Sequence, residues 1–268
     1  MQLIVTRPER DAQRWVQSLA EAGRQAVALP LISVAPASDQ SAVQAAWLHL
    51  ADYAAVMFVS ANAVSHFFAS KLPIAPVFIA HSATKTRAWA TGPGTMDALL
   101  KAGVPAARID APPKDAGQFD SETLWQLVGS RVQQGDRVLI VRGTQTAGQD
   151  DKPELSSGVG RDWLAAQLTA AGAQVDFVVA YQRGLPPFTP AQLQLAQRAA
   201  TDGSVWLFSS SEAVANLRRL LPQQDWSQAM AVATHARIAD AAREAGFGQV
   251  RESRPALSDI LASIESPV

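Results

Sequence analysis

The 268-residue sequence contains no cysteine. That removes disulfides, thiolate metal sites and cysteine nucleophiles, and it fits a reducing compartment. An excess of charge of either sign is missing too: 23 Lys and Arg stand against 24 Asp and Glu, a formal net charge of −1. No basic field therefore argues for nucleic acid or a membrane surface, and a polyanionic ligand has to be held by local donors. No apolar run approaches membrane-spanning length. The first residues, MQLIVTRPERD, have no basic leading region and too short an apolar run for a signal peptide, so a cytoplasmic protein is expected.

The common catalytic motifs are lacking as well. There is no Gly-x-Ser-x-Gly elbow for a hydrolase triad, no phosphate-binding Gly-Lys-Ser/Thr loop and no His-Glu-x-x-His zinc motif. Gly92-Pro93-Gly94-Thr95-Met96-Asp97 carries two glycines of a dinucleotide fingerprint, but Asp97 stands where the third belongs and Pro93 stiffens the turn. His49, His66, His81 and His235 are scattered without metal-ligand spacing and read as surface or packing residues. Asp150-Asp151 lies in a polar stretch and reads as a solvated pair rather than a Mg²⁺ site.

What is present is a soluble-protein composition, 48% apolar and only 18% charged, enough for a substantial core. Short apolar segments alternate with helical patterns along the whole chain, which argues for parallel α/β sheets. Strands are expected at Leu3–Thr6, Ala26–Val34 (split by Pro30), Ala55–Val59, Arg87–Thr91, Ala107–Ala111, Arg137–Val141, Gln174–Tyr181, Ser204–Phe208, Met230–Ala233 and Gln249–Glu252. Helices are expected between them, with Gly23, Gly103 and Gly172 as stops. The polar segment Gly143–Gly160 is long for a loop in a compact domain.

Two stretches echo each other. Asp52–Val64 reads DYAAVMFVSANAV and Asp202–Val214 reads DGSVWLFSSSEAV. Leu19–Gln25 likewise resembles Leu168–Gln174, and Thr91–Gly103 resembles Thr234–Gly246. The echoes suggest duplication into two similar α/β domains facing a common cleft. Each echoed strand empties through serine into a helix, leaving hydroxyls and free backbone N–H groups where open α/β sheets bind ligands. Ser60, Ala61 and Asn62, then Gly94 and Thr95, Gly143 and Thr144, and Ser209, Ser210 and Ser211 all follow expected strands. One such site is ordinarily a plain helix cap. Four at equivalent places point to binding of an anion, carboxylate or phosphate. Tyr181, one of two tyrosines, follows a strand, and two readings stand: a phenol that donates a proton to a leaving oxygen, or a strand-end ring in the core.

With these residues the chain resembles the uroporphyrinogen-III synthase family. The matching segments are VTRP (Val5–Pro8), ALPLI (Ala28–Ile32), the FxSxNAV segment around Ser60, Gly92–Thr95, LIVRG (Leu139–Gly143), the segment Val178–Arg183 and FSSSEAV (Phe208–Val214). They run in family order across nearly the whole chain. The resemblance implies two flavodoxin-like parallel-sheet domains joined by a two-stranded linker, with the active site in a cleft between them. One domain would be discontinuous, residues 1–34 with 184–268, and the other would be 35–183. This replaces the simple tandem arrangement.

The implied reaction is dehydration and cyclisation of hydroxymethylbilane with inversion of ring D, without metal or organic cofactor. Tyr181 is implied as the catalytic group. Ser60, Thr95, Ser209 and Ser210 are implied to bind the substrate, with Arg7 and Arg142 as matching basic residues; Ala61, Asn62, Gly94, Gly143 and Ser211, read above as strand-end donors, and Arg237 are expected to join them. The family's second Gly-Pro-Thr-Thr turn is here His235-Ala236-Arg237-Ile238, with Arg237 as the replacement cationic contact. The resemblance also implies a monomer that receives the bilane from hydroxymethylbilane synthase, with no nucleic-acid or membrane partner. The alternative from another class is a non-catalytic binding module for an acidic ligand.

Overall fold

The computed structural model describes residues 1–73, 85–113, 120–145 and 159–265. Asp150-Asp151, His81 and most of the segment 143–160 lie outside the described residues. The chain divides into two compact units: Met1–Ser33 with Gly184–Val268, and Val34–Arg183. The chain therefore crosses between units twice, at 33/34 and at 183/184.

In the first unit the described residues form a five-stranded sheet. Its strands are β1 (Leu3–Val5), β2 (Ala26–Ala28), β9 (Val205–Phe208), β10 (Met230–Ala233) and β11 (Gln249–Glu252). The order is β11-β10-β9-β1-β2, and each pairing is parallel. Helices α1 (Glu9–Glu21) and α10 (Leu257–Glu265) cover one face, where Ala12, Leu19, Ile260 and Ile264 meet Leu3, Val5, Val205 and Leu207. On the other strand positions an aromatic cluster forms, with Trp206 edge-on to Trp226 at 5.3 Å and Trp226 stacked on Phe247 at 5.3 Å. The Trp206 indole N–H donates to the Ala199 carbonyl at 3.0 Å, which removes the polar cost of burying that ring.

In the second unit the strands are β3 (Ser33–Pro36, whose first residue falls in the other unit), β4 (Ala55–Phe58), β5 (Arg87–Ala90), β6 (Ile109–Asp110), β7 (Arg137–Gln145) and β8 (Gln174–Gly184). Their order is β3-β8-β7-β4-β5-β6. Pairings from β8 through β6 are parallel. Alternate residues of β4 go to opposite faces: Val56 and Phe58 pack with α2 (Ser41–Leu48), α3 (Ala61–Ala69) and α4 (Pro93–Lys101), and Ala55 and Met57 with α5 (Ser121–Val128) and α6 (Val159–Ala170). A strand covered on both faces has to be apolar throughout, which is why AVMF shows no polar alternation.

The two units share one topology, cut at different points. α7 (Pro190–Arg198) leads into β9. Laying β9-α8-β10-α9-β11-α10 over β4-α3-β5-α4-β6-α5, with α8 (Ser211–Leu220) and α9 (Ala236–Glu244), leaves β1-α1-β2 over β7-α6-β8. All three sequence echoes fall on elements matched in this way. The glycines that end the matched helices share the left-handed conformation, Gly23 with Gly172 (φ 74° and 86°) and Gly103 with Gly246 (88° and 95°). In chain order this is a tandem repeat whose leading strand–helix–strand segments have changed places: β1-α1-β2 completes the second repeat's sheet, and β7-α6-β8 the first's.

Several sequence-based boundaries are corrected. Residues 26–34 form no single interrupted strand: β2 and β3 belong to different sheets, because Pro30 and the turn after it separate them. α4 begins at Pro93, so Gly94 and Thr95 lie in its first turn rather than ahead of it. β7 continues past Val141 through Arg142, Gly143, Thr144 and Gln145. Gly143 and Thr144 are thus ladder residues, not residues that start a helix. β8 likewise runs on to Gly184. Among the described residues no helix is long and apolar enough to cross a membrane.

Candidate functional site

Each sheet has one place where the strand order reverses, between β1 and β9 in the first unit and between β4 and β7 in the second. The crevice outside the carboxyl ends of such strands is where doubly wound sheets bind ligands. In the first unit that place carries Thr6-Arg7 after β1 and Ser209-Ser210-Ser211 after β9. In the second it carries Ser60-Ala61-Asn62 after β4 and Arg142-Gly143 where β7 runs past the end of β4.

Two residues of each set occupy matched positions. Ile4 lies beside Trp206 in one sheet, as Leu139 lies beside Val56 in the other. The main echo equates Trp206 with Val56, so counting forward equates Arg7 with Arg142, and Ser210 with Ser60. Both serines are helix caps. The Ser60 hydroxyl accepts from Ala63 N at 3.1 Å, and the Ser210 hydroxyl from Glu212 N at 3.2 Å. Both arginines lie over aromatic rings: Arg7 over Trp15 at 4.3 Å and Arg142 over Phe177 at 4.4 Å. Burial pushes the Arg7 guanidinium below its ordinary value, opposed by the nearby Asp11 charge and reinforced by Arg14; an arginine remains charged regardless.

Arg142 is only 9% exposed, and its Nε has no hydrogen-bond partner. Among the described residues no carboxylate pairs with it. Holding a cation this way is costly unless a counter-charge arrives, and the ring of Phe177 beneath supplies only part of the compensation. The Ser211 hydroxyl is likewise shut from solvent without a partner. Such unpaired donors, Arg142 on β7 and Ser211 at the start of α8, suit an acceptor-rich ligand.

Tyr181 joins the second set. Its ring is 4% exposed and belongs to the core on the α2–α3–α4 face. Its hydroxyl meets the Ser60 hydroxyl at 3.1 Å. The imidazole of His66 stacks on the ring, centroids 5.8 Å apart and planes 20° from parallel. The ring is thus part of the core, and the hydroxyl reaches the strand-end serine. The sequence reads His66 as a surface or packing residue. Its spacing of four from Asn62, one helical turn on the same face, was the available signal. Phe177 carried no such signal.

The remaining residues are less drawn together. Thr95 is buried and its N–H donates to Gly92 O at 3.1 Å, whereas Gly94 is exposed. Ala61 and Asn62 are half-buried in the first turn of α3. In the first unit, His235 caps α9 by accepting the Arg237 N–H on Nδ1 at 3.1 Å. The imidazole thereby takes over the cap that a threonine hydroxyl would make, and the Arg237 side chain is exposed. No group of three His, Cys, Asp or Glu able to hold a metal occurs among the described residues.

A family model described as uroporphyrinogen-III synthase HemD matches residues 13–262. A uroporphyrinogen-III synthase of Chlorobaculum parvum is 30% identical over 158 residues, 59% of this chain and 58% of that protein. The aligned stretch thus spans a little over half of that relative. Among solved structures, a uroporphyrinogen-III synthetase from Helicobacter pylori superposes with a TM-score of 0.57 at 15% identity, covering 98% of this chain and 97% of that one. A mutant uroporphyrinogen III synthase from Thermus thermophilus gives 0.51 at 16% identity, covering 99% and 97%. At such identities the two structural likenesses speak for the fold.

Proposed function

The chain belongs to the uroporphyrinogen-III synthase family, and from that premise we propose that it converts hydroxymethylbilane to uroporphyrinogen III. The substrate is a linear tetrapyrrole with an acetate and a propionate on every ring. Loss of its hydroxyl as water leaves an azafulvene cation. Closure with ring D inverted, through a spiro intermediate, gives the asymmetric macrocycle and releases a proton. Unaided, the bilane closes to the symmetric isomer, so control of geometry is the catalysis.

The observation that carries this reading is the matched arginine and serine cap at each reversal point, Arg7 with Ser210 and Arg142 with Ser60. An octacarboxylate needs many dispersed donors rather than one strong one, and this arrangement supplies them twice. Arg142, which has no counter-ion among the described residues, takes a substrate carboxylate, as do the backbone N–H groups following Ser60 and Ser210. Gly94, Thr95, Ser209, Ser211 and Arg237 contribute weaker contacts in the same reading. Tyr181 acts on the departing hydroxyl: the phenol donates its hydrogen to the leaving oxygen, and the Ser60 hydroxyl stabilises the phenolic oxygen left behind. Replacing that phenol by Phe lowers the cyclisation rate by about 10²-fold or more if the group acts as a general acid. Unchanged turnover by Tyr181→Phe removes it from the chemistry. The protein acts as a cytoplasmic monomer without cofactor, taking the unstable bilane from hydroxymethylbilane synthase.

The test is the isomer ratio formed when purified protein meets freshly generated hydroxymethylbilane, read by chromatography after oxidation to the porphyrins. Isomer III in excess is the expected result. Isomer I at the enzyme-free level, from folded protein, overturns the reading and leaves a binding module.

A further inference from the structure

β7 and β8 pair in simple register from Arg137 opposite Gln174 to Arg142 opposite Val179, and then slip. Gly143 faces Tyr181, so Ala180 is an extra residue on β8. A bulge of this kind re-aims the side chains that follow it. Val178 ahead of it and the extra residue Ala180 point into the α2–α3–α4 core; after it, Tyr181 enters that same core instead of the opposite face. The bulge turns the ring inward, and the ring then needs room over β7.

Gly143 provides that room. A Cβ placed on it would lie 2.4 Å from Tyr181 Cζ and 2.5 Å from Cε2, closer than any real carbon contact. The ring therefore lies flat against bare backbone, with His66 stacked over it and the hydroxyl at Ser60. φ at Gly143 is not in the left-handed region, so backbone freedom does not explain the glycine. The missing side chain does.

We propose that Gly143 is a positioning residue, not a substrate donor: with the Ala180 bulge it fixes where the Tyr181 hydroxyl sits. This inference rests on the role given to Tyr181 above, and its test separates the two. The protein has two tyrosines, so fluorotyrosine labelling yields two ¹⁹F resonances, and Tyr53→Phe leaves that of Tyr181 alone. In Gly143→Ala the Tyr181 resonance should move, and kcat should fall by about 10²-fold with KM nearly unchanged, as a displacement near 1 Å implies. In a Tyr181→Phe background the same alanine should cost kcat almost nothing further, because the two act as a unit. An unmoved resonance in folded Gly143→Ala overturns the proposal, as does a full additional kcat loss in the Tyr181→Phe background. Full activity of Tyr181→Phe alone would sink the tyrosine's role instead, whatever the resonance does. Should Gly143→Ala fail to fold, it is placed in a Tyr181→Ala background. Folding there shows that the ring sets the limit, and failure there overturns the proposal.

Discussion

Replacing Asp110 by Asn should weaken the second unit by about 2–3 kcal/mol at neutral pH and leave turnover by the folded protein unchanged. Asp110 ends β6, the edge strand of its sheet, with its side chain 6% exposed. Its carboxylate accepts from Arg87 Nε, from Arg87 Nη2 at 2.9 Å and from Arg131 Nη1 at 2.8 Å. Charge-assisted bonds of this kind contribute roughly 1.5–3 kcal/mol each when protected. The arginines are not fully protected, with side chains 33% and 47% exposed. The Arg131 pair is therefore discounted to about 0.5 kcal/mol, and the forked Arg87 pair to about 2. Burial opposes the charge on Asp110, yet the bonds from Arg87 and Arg131 outweigh it and hold the carboxyl below its usual range. A depressed folded value means stability fully present above the unfolded value of about 3.9 and lost as pH falls through the folded one. The gap between parent and Asp110→Asn should therefore be widest at neutral pH and close below about pH 4. Urea titrations of both proteins at pH 7, 4 and 3 measure it. A gap under about 0.5 kcal/mol at pH 7, or one that widens on acidification, refutes the reasoning.

Ser60→Ala removes both a helix cap and the partner of the Tyr181 hydroxyl. It should cost about 1–2 kcal/mol and part of the activity, with Ser60→Thr restoring much of both; complete inactivity of folded Ser60→Ala would contradict a dispersed site. Arg142→Met replaces the guanidinium over Phe177 by an apolar thioether and removes a buried charge that has no ion-pair partner among the described residues. Stability should hold or rise by about 1 kcal/mol while KM for the bilane increases and kcat changes little, which steady-state kinetics will show. Asn216, 5% exposed, donates to the Leu31 carbonyl at 2.7 Å and so ties the segment after β2 to α8. Asn216→Ala should lower stability by about 1–3 kcal/mol in thermal melts, without altering the isomer ratio.

The elements most readable in the sequence were those in which one physical signal dominates. AVMF at 55–58 and VWLF at 205–208 are buried on both faces and read as unbroken apolar runs. The ends of β7 and β8 were harder to see. Their last residues, among them Thr144, Gln145, Gln182 and Arg183, are polar, and pairing between strands carries the ladder past the point where hydrophobicity stops marking it. Pro30 was visible as a break, but a break within one strand and a passage to another sheet look alike along a chain. The serine caps were legible because hydroxyl at a strand end before a helix is a local pattern. The Tyr181–Ser60 bond joins residues 121 apart, and the bulge that creates it depends on a slip between two strands. His235 as a cap was missed because the expected signal was a threonine.

The exchange of strand–helix–strand segments has a bearing on synthesis. As the chain leaves the ribosome, β1-α1-β2 emerges first, yet β9, the partner of β1, follows about two hundred residues after it. In the interval β4 appears with one edge open, awaiting β7. The early segment has the topology that edge accepts, and Leu3, Ile4 and Val5 match Val138, Leu139 and Ile140 in burial and in face. A nascent chain can thus close its first sheet with the wrong copy of the same part. Any such pairing has to reopen before β7 can take its place beside β4.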